Sequence, residues 1–119
     1  MTPATSGARA DIAILGGGLA GGLIALALRR AAPSLAVVLV EAGEMLGGNH
    51  RWSWFESDLT RDGAALLALF RKIHWPAGYD VHFPEHSRRL ESTYFSLASA
   101  DFDAALRREL AQSTIQAGR

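Results

Sequence analysis

Cysteine is absent from the sequence, which excludes a disulfide framework, a thiolate-held metal and a cysteine nucleophile. The absence fits a reducing compartment, and a cytoplasmic location is expected. Charge bias is missing too: 12 Lys and Arg balance 12 Asp and Glu. With no basic block to meet phosphate, no nucleic-acid partner is expected. Residues 12–28 carry no charge, but glycines interrupt them and they fall short of the ~20 apolar residues that span a bilayer. Asp11 precedes this run where a signal peptide would carry positive charge. Neither a membrane span nor a secretory signal is therefore expected. Repeats and low-complexity tracts are also lacking. What is present is 119 residues with 49% hydrophobic content and three tryptophans, which suits one small folded domain.

Residues 1–10 are small and polar and are expected to form a flexible leader. Residues 11–15 form a short apolar run ending at glycines, which predicts a fully buried strand. Residues 19–31 contain helix formers throughout and stop at Pro33 and Ser34. Residues 36–40 predict a second buried strand, closed by Glu41. Strand, helix and strand within about thirty residues make a βαβ crossover. Beyond a glycine-containing loop at 42–49, residues 62–73 predict an amphipathic helix with Leu66, Leu67, Leu69 and Phe70 inward. Residues 79–83 alternate as a half-buried strand and 93–97 offer another. Ser99 reads as the N-cap of a helix whose Phe102, Leu106 and Leu110 share one face, with Asp101 and Asp103 in its first turn. Residues 114–116 look like the start of a further strand. A parallel sheet with so few strands leaves an open edge and an uncovered face. The expected fold class is α/β, a Rossmann-like nucleotide-binding βαβ domain that is incomplete, with residues 11–119 its N-terminal part.

Gly16-Gly17-Gly18-Leu19-Ala20-Gly21 satisfies G-x-G-x-x-G, a pattern that is weak alone and gains force from a strand before, a helix after and an acid at the next strand end. Gly16 permits a tight turn, and Gly18 removes a side chain where backbone must approach a pyrophosphate. Gly21 or Gly22 lets the helix pack closely on the strand. The helix N-terminus offers unpaired N–H groups and a positive dipole end to phosphate. Glu41 is placed to accept hydrogen bonds from the adenosine ribose hydroxyls. The bland alternatives are a tight turn of some other α/β protein and a solvated strand-end carboxylate.

Downstream, Ala42-Gly43-Glu44-Met45-Leu46-Gly47-Gly48 joins the acid to a glycine pair. This arrangement resembles the extended fingerprint of glutathione-reductase-like flavoproteins, which implies FAD rather than NAD. The cofactor-binding candidates are Gly16, Gly17, Gly18, Leu19, Ala20, Gly21, Glu41, Ala42, Gly47 and Gly48.

Several stretches together resemble the bacterial lycopene β-cyclases. They are residues 16–26, Gly47-Gly-Asn-His-Arg-Trp-Ser53, His74-Trp75, Tyr79-Asp-Val-His-Phe-Pro84, Arg88-Arg-Leu90, Tyr94-Phe95 and a helix near Phe102. The chain departs from that family's pattern in having Gly21 for Asn, Arg51 for Thr and Thr93 for Gly. The resemblance implies an isomerase of carotenoid biosynthesis that closes the ends of lycopene into β-rings by acid-catalysed, non-redox cyclisation. It also implies reduced FAD, with NADPH or NADH as reductant, an apolar polyene substrate and peripheral membrane contact. That family's catalytic acid lies beyond Arg119, so no catalytic residue is assigned here and these residues alone are expected to be inactive. Two alternatives stay open: a redox flavoenzyme (monooxygenase or polyprenyl reductase) on the same fold, and an inactive nucleotide-binding fragment.

Other residues carry competing readings. Asn49, His50, Trp52 and Trp54 either line flavin or polyene, where aromatic faces suit a cation, or serve as ordinary core and hydrogen-bonding groups. His82 and His86 have an i, i+4 spacing, but Pro84 between them disfavours the helix that zinc binding would need, so no metal is expected. Glu56 and Asp58 read as solvated, and Arg88 and Arg89 as surface charge.

Overall fold

The structure, a computed structural model, describes residues 9–119. Most of the expected leader, residues 1–8, lies outside the described residues. The first unit is the expected crossover: β1 (Ile12–Leu15), α1 (Leu19–Ala31) and β2 (Val37–Glu41). A late strand, β8 (Ile115–Ala117), joins them in one parallel sheet ordered β1-β2-β8. Ile14 lies opposite Leu39, and Leu39 opposite Ile115.

The second unit is inserted between β2 and β8. Antiparallel strands β3 (Arg51–Phe55), β7 (Tyr94–Ala98) and β4 (Ile73–Trp75) form a sheet in the order β3-β7-β4. β5 (Tyr79–Phe83) and β6 (His86–Leu90) form a separate hairpin. Helix α2 (Arg61–Leu67) precedes β4, and α3 (Ser99–Glu109) returns the chain from β7 to β8.

The core lies between the two units. Phe102 and Leu106 of α3 and Leu110 at its C-cap are buried on one face, as their spacing predicts, against Leu26, Leu39, Leu46, Phe70 and Leu97. Phe102 is its centre, stacked on Phe70 at 5.3 Å and edge-on to Trp52 at 5.1 Å. Aromatic pairs in these geometries add about 0.5–1.5 kcal/mol beyond the area they bury.

Four expectations are corrected. The first strand is not fully buried: Ile12 and Ile14 turn toward α1, while Leu15 is 81% exposed. Helix α1 packs on β1 and β2, and α3 packs against α1 and β7. The helix expected at 62–73 ends at Leu67, after Thr60 caps it by accepting from Gly63 N–H (3.1 Å). Lys72 Nζ then donates to Leu67 O and Phe70 O, closing off the helix end. That frees Ile73 to pair with Ser96 of β7, so tertiary pairing overrides the helical pattern. Burial holds the Lys72 ammonium below its ordinary pKa. Phe83, expected on a buried strand face, is 63% exposed at the end of the hairpin.

The fourth correction concerns the start of α3. Its N-cap is Ala98, and Ser99 is the first helical residue. Ser99 Oγ accepts from His50 N–H (3.2 Å), while Ser99 N–H donates to His50 O (2.9 Å). Among the described residues no helix is long and apolar enough to cross a membrane.

Candidate functional site

The glycine turn leaves β1 at the C-terminal end of the parallel strands, where ligands of open α/β sheets bind. Gly16 has φ +105°, a left-handed conformation that glycine alone adopts without strain. Gly18 caps α1 in an extended conformation (φ −76°, ψ −168°) with no side-chain hydrogen bond, and no acid occupies the first turn. Among the described residues no side chain caps the first-turn N–H groups of α1, and its dipole end faces the site.

The glycines divide by what surrounds them. A Cβ on Gly16 or Gly18 would meet nothing within 4 Å. A Cβ on Gly21 would strike the carbonyl oxygen of Gly16 and approach Ile14 Cγ2 at 3.2 Å. On Gly22 it would enter the Phe102 ring and lie 2.7 Å from Leu106 Cδ1. Both residues left open by the sequence are therefore packing glycines, Gly21 against the turn and β1, Gly22 against α3. Gly18 instead faces free space, the condition for a ligand to approach backbone.

Glu41 ends β2 beside this turn. Its Oε1 accepts from Gly17 N–H (2.9 Å) and its Oε2 from Gly43 N–H (2.6 Å). These two bonds, Gly43 first, hold its carboxyl below the usual carboxylate range. Glu41 braces the glycine turn as well as facing the site, and each oxygen keeps a second lone pair for a hydroxyl donor. Leu19 packs its side chain on the core and contributes only backbone to the site. Ala20 and Ala42 are exposed at its rim.

The glycine pair closes over the turn from the other side. Gly47 N–H donates to Gly17 O (2.7 Å), and Gly47 and Gly48 both have positive φ, +84° and +64°. Crowding demands glycine at 47 as well, since a Cβ there would lie 3.0 Å from Phe102 and 3.1 Å from Trp52. The predicted cofactor residues are thus gathered at one sheet end. A cavity of about 600 Å³ lies elsewhere, at the opposite end of the strands, beside Arg29, Ala36 and Ser113. It touches none of these groups and is set aside as the site.

The tempting side chains resolve differently. Trp52 and Trp54 face the core, Trp54 stacking on Phe95 at 5.7 Å. Trp54 Nε1 is buried without a hydrogen-bond partner among the described residues. The His50 ring is exposed near Gly48 and tilted over Trp52 at 6.0 Å. His82 Nδ1 meets Ser87 Oγ at 3.0 Å across the hairpin, and no cluster of potential metal ligands occurs among the described residues. Arg89 pairs with Asp80 at 3.0 Å, and Asp58 accepts from Phe55 N–H.

Sequence reasoning missed the residues that hold the glycine-pair loop. Asp103, read as a first-turn helix acid, is only 6% exposed and accepts from Leu46 N–H at 2.8 Å. Arg107 pairs with it and donates to Glu44 O at 2.8 Å. Their i, i+4 spacing was visible, but a long-range backbone partner was not.

Comparison with known proteins places this geometry among relatives. A family profile described as "Lycopene cyclase protein" matches residues 11–118. The chain is 48% identical over 103 residues to a lycopene beta-cyclase of Pseudescherichia vulneris, covering 87% of the chain and 26% of that protein. It is 40% identical over 99 residues to one of Pantoea ananas (83% and 26% covered). It is 44% identical over 98 residues to one of a Paracoccus species (82% and 25% covered). The chain therefore spans about a quarter of the length of these relatives. Among solved structures, one from Photorhabdus luminescens described as an FAD containing monooxygenase matches with TM-score 0.59 at 18% identity, over 93% of the chain and 31% of that structure. That likeness shows the fold.

Proposed function

The chain belongs to the lycopene cyclase protein family, and from that premise we propose that it is the FAD-binding N-terminal part of a lycopene β-cyclase. The whole enzyme closes the ends of linear lycopene into β-rings. The observation that carries the cofactor assignment is the N-terminus of α1, with no side-chain cap and no first-turn acid, beneath the open side of Gly18. A phosphate there would satisfy amides that no side chain among the described residues fills. Gly16 to Gly21 would hold the pyrophosphate, Glu41 the adenosine ribose, and the Ala42 and Gly47–Gly48 backbone would lie along the cofactor.

The proposed reaction is mass-neutral. An acid donates a proton to a terminal double bond of the polyene, the resulting carbocation closes a ring, and loss of a proton restores an alkene. Bound in reduced form, FAD would supply electron-rich charge that stabilises such a cation. NADPH or NADH serves as reductant. This chain's part is to bind and orient: the helix dipole and glycine turn fix the diphosphate, and Glu41 holds the turn while selecting an unphosphorylated ribose. A polyene substrate and peripheral membrane contact follow from the same reading.

Cofactor titration tests it. The apoprotein made from the whole reading frame is expected to retain FAD and to reject FMN, because FMN lacks the adenosine half that these residues hold. Equal retention of both flavins would place the cofactor elsewhere.

A further inference from the structure

Two side chains of α3 reach across 57 and 63 residues of sequence to grip the glycine-pair loop. Asp103 Oδ1 accepts from Leu46 N–H at 2.8 Å, and both its oxygens receive Arg107 Nε at 3.0 Å. Arg107 also donates to Glu44 O at 2.8 Å. The loop is thus fixed at one backbone donor and one backbone acceptor by a single ion pair, whose acid is buried and whose base is half-exposed.

What the loop does next makes this more than packing. Leu46 is fully buried, and its Cδ2 lies 2.6 Å from where a Cβ on Gly17 would stand. One residue on, Gly47 N–H donates to Gly17 O. Gly17 is therefore pinned through its carbonyl by this loop and through its amide by Glu41. A shift of the loop moves the glycine turn.

We propose that Asp103 and Arg107 are positioning residues for the nucleotide site, setting the glycine turn through Leu46 and Gly47. The proposal rests on the reading of residues 16–21 as the phosphate turn. Asp103→Asn keeps an acceptor for Leu46 N–H but removes the charge that holds Arg107. Arg107→Lys keeps a cation beside Asp103, but one ammonium on a flexible stem cannot reproduce the fixed fork to Asp103 and Glu44 O. Because Arg107 is half-exposed, that variant tests the idea even if Asp103→Asn fails to fold.

Two readouts on the whole protein decide it. Amide hydrogen exchange without FAD is expected to quicken about tenfold at Leu46 and Gly47 in either variant, with β3 and β7 unchanged. FAD titration of the same samples is expected to give a Kd raised about tenfold, with saturating FAD restoring loop protection. Exchange that quickens equally across β3, β7 and the loop would make the pair merely structural and overturn the proposal. A loosened loop with unchanged FAD affinity would overturn it as well. Wild-type protein that takes up no FAD would instead remove the phosphate-turn reading, and this proposal with it.

Discussion

Gly18→Val separates the stability of the fold from the function of the turn. The backbone at Gly18 is extended at φ −76° and ψ −168°, which any residue adopts, and a Cβ meets nothing within 4 Å. Because Gly18 is the N-cap of α1, where valine is less favourable than glycine, stability should fall by about 0.5–1 kcal/mol. For a cooperative unit of 119 residues, an unfolding entropy of about 2.1 cal/mol/K per residue makes 1 kcal/mol worth about 4 °C, so Tm should fall by about 2–4 °C. Yet the side chain fills the space in which a diphosphate must meet the α1 amides. Loss of that contact should weaken FAD at least 100-fold, about 2.8 kcal/mol. Gly21→Ala supplies the contrast, because its methyl strikes the Gly16 carbonyl and the turn itself must move. Such overpacking costs about 1–3 kcal/mol, roughly 4–12 °C on the same scale. Differential scanning calorimetry with flavin titration reads both variants. Gly18→Val purified with stoichiometric FAD would refute the phosphate-turn reasoning, and a Gly18→Val as unstable as Gly21→Ala would refute the structural part.

Other substitutions probe the supports. The Glu41 carboxyl is held below its ordinary pKa near 4.5 by the Gly43 and Gly17 amides, so its contribution is complete above that value and fades as pH falls through the folded pKa. Wild type should therefore exceed Glu41→Gln in stability at neutral pH, and acid titration of both should bring the two curves progressively together as pH falls from about 4.5 through the lowered folded pKa. Phe102→Ala empties the fully buried centre of the core between Phe70 and Trp52. Thermal unfolding should show a loss of about 3–5 kcal/mol. Thr60→Ala removes the cap on Gly63 N–H and should cost about 1 kcal/mol in denaturant unfolding.

How far the sequence revealed the structure depended on the range of the interaction. The crossover unit was legible because its signals are local: a short apolar run, a glycine turn, helix formers ending at Pro33, and an acid at a strand end. The predicted helix matches α1 over its whole length. The α3 face was legible for the same reason, through the spacing of Phe102, Leu106 and Leu110. Long-range partners were not. Ile73 leaves its helical pattern to pair with Ser96, and Ser99 gives up a cap to bond His50. Trp52 and Trp54 could be assigned to the core only once β3 had a partner strand and α3 lay beneath it. At the candidate site, the sequence identified the glycines and Glu41 but not that Glu41 braces Gly17. The Asp103–Arg107 grip looked like an ordinary helical ion pair, because its other ends are backbone atoms far away in the chain.

The most direct test of the central claim is the fate of lycopene itself. The protein encoded by the whole reading frame, loaded with FAD and reduced by NADPH without oxygen, is given lycopene in lipid vesicles. Products and nicotinamide are measured together. The account predicts β-ring carotenes of the same mass as lycopene, with no nicotinamide consumed in proportion to product. An oxygenated or hydrogenated polyene, or one nicotinamide spent per turnover, would contradict it and make the protein a redox flavoenzyme.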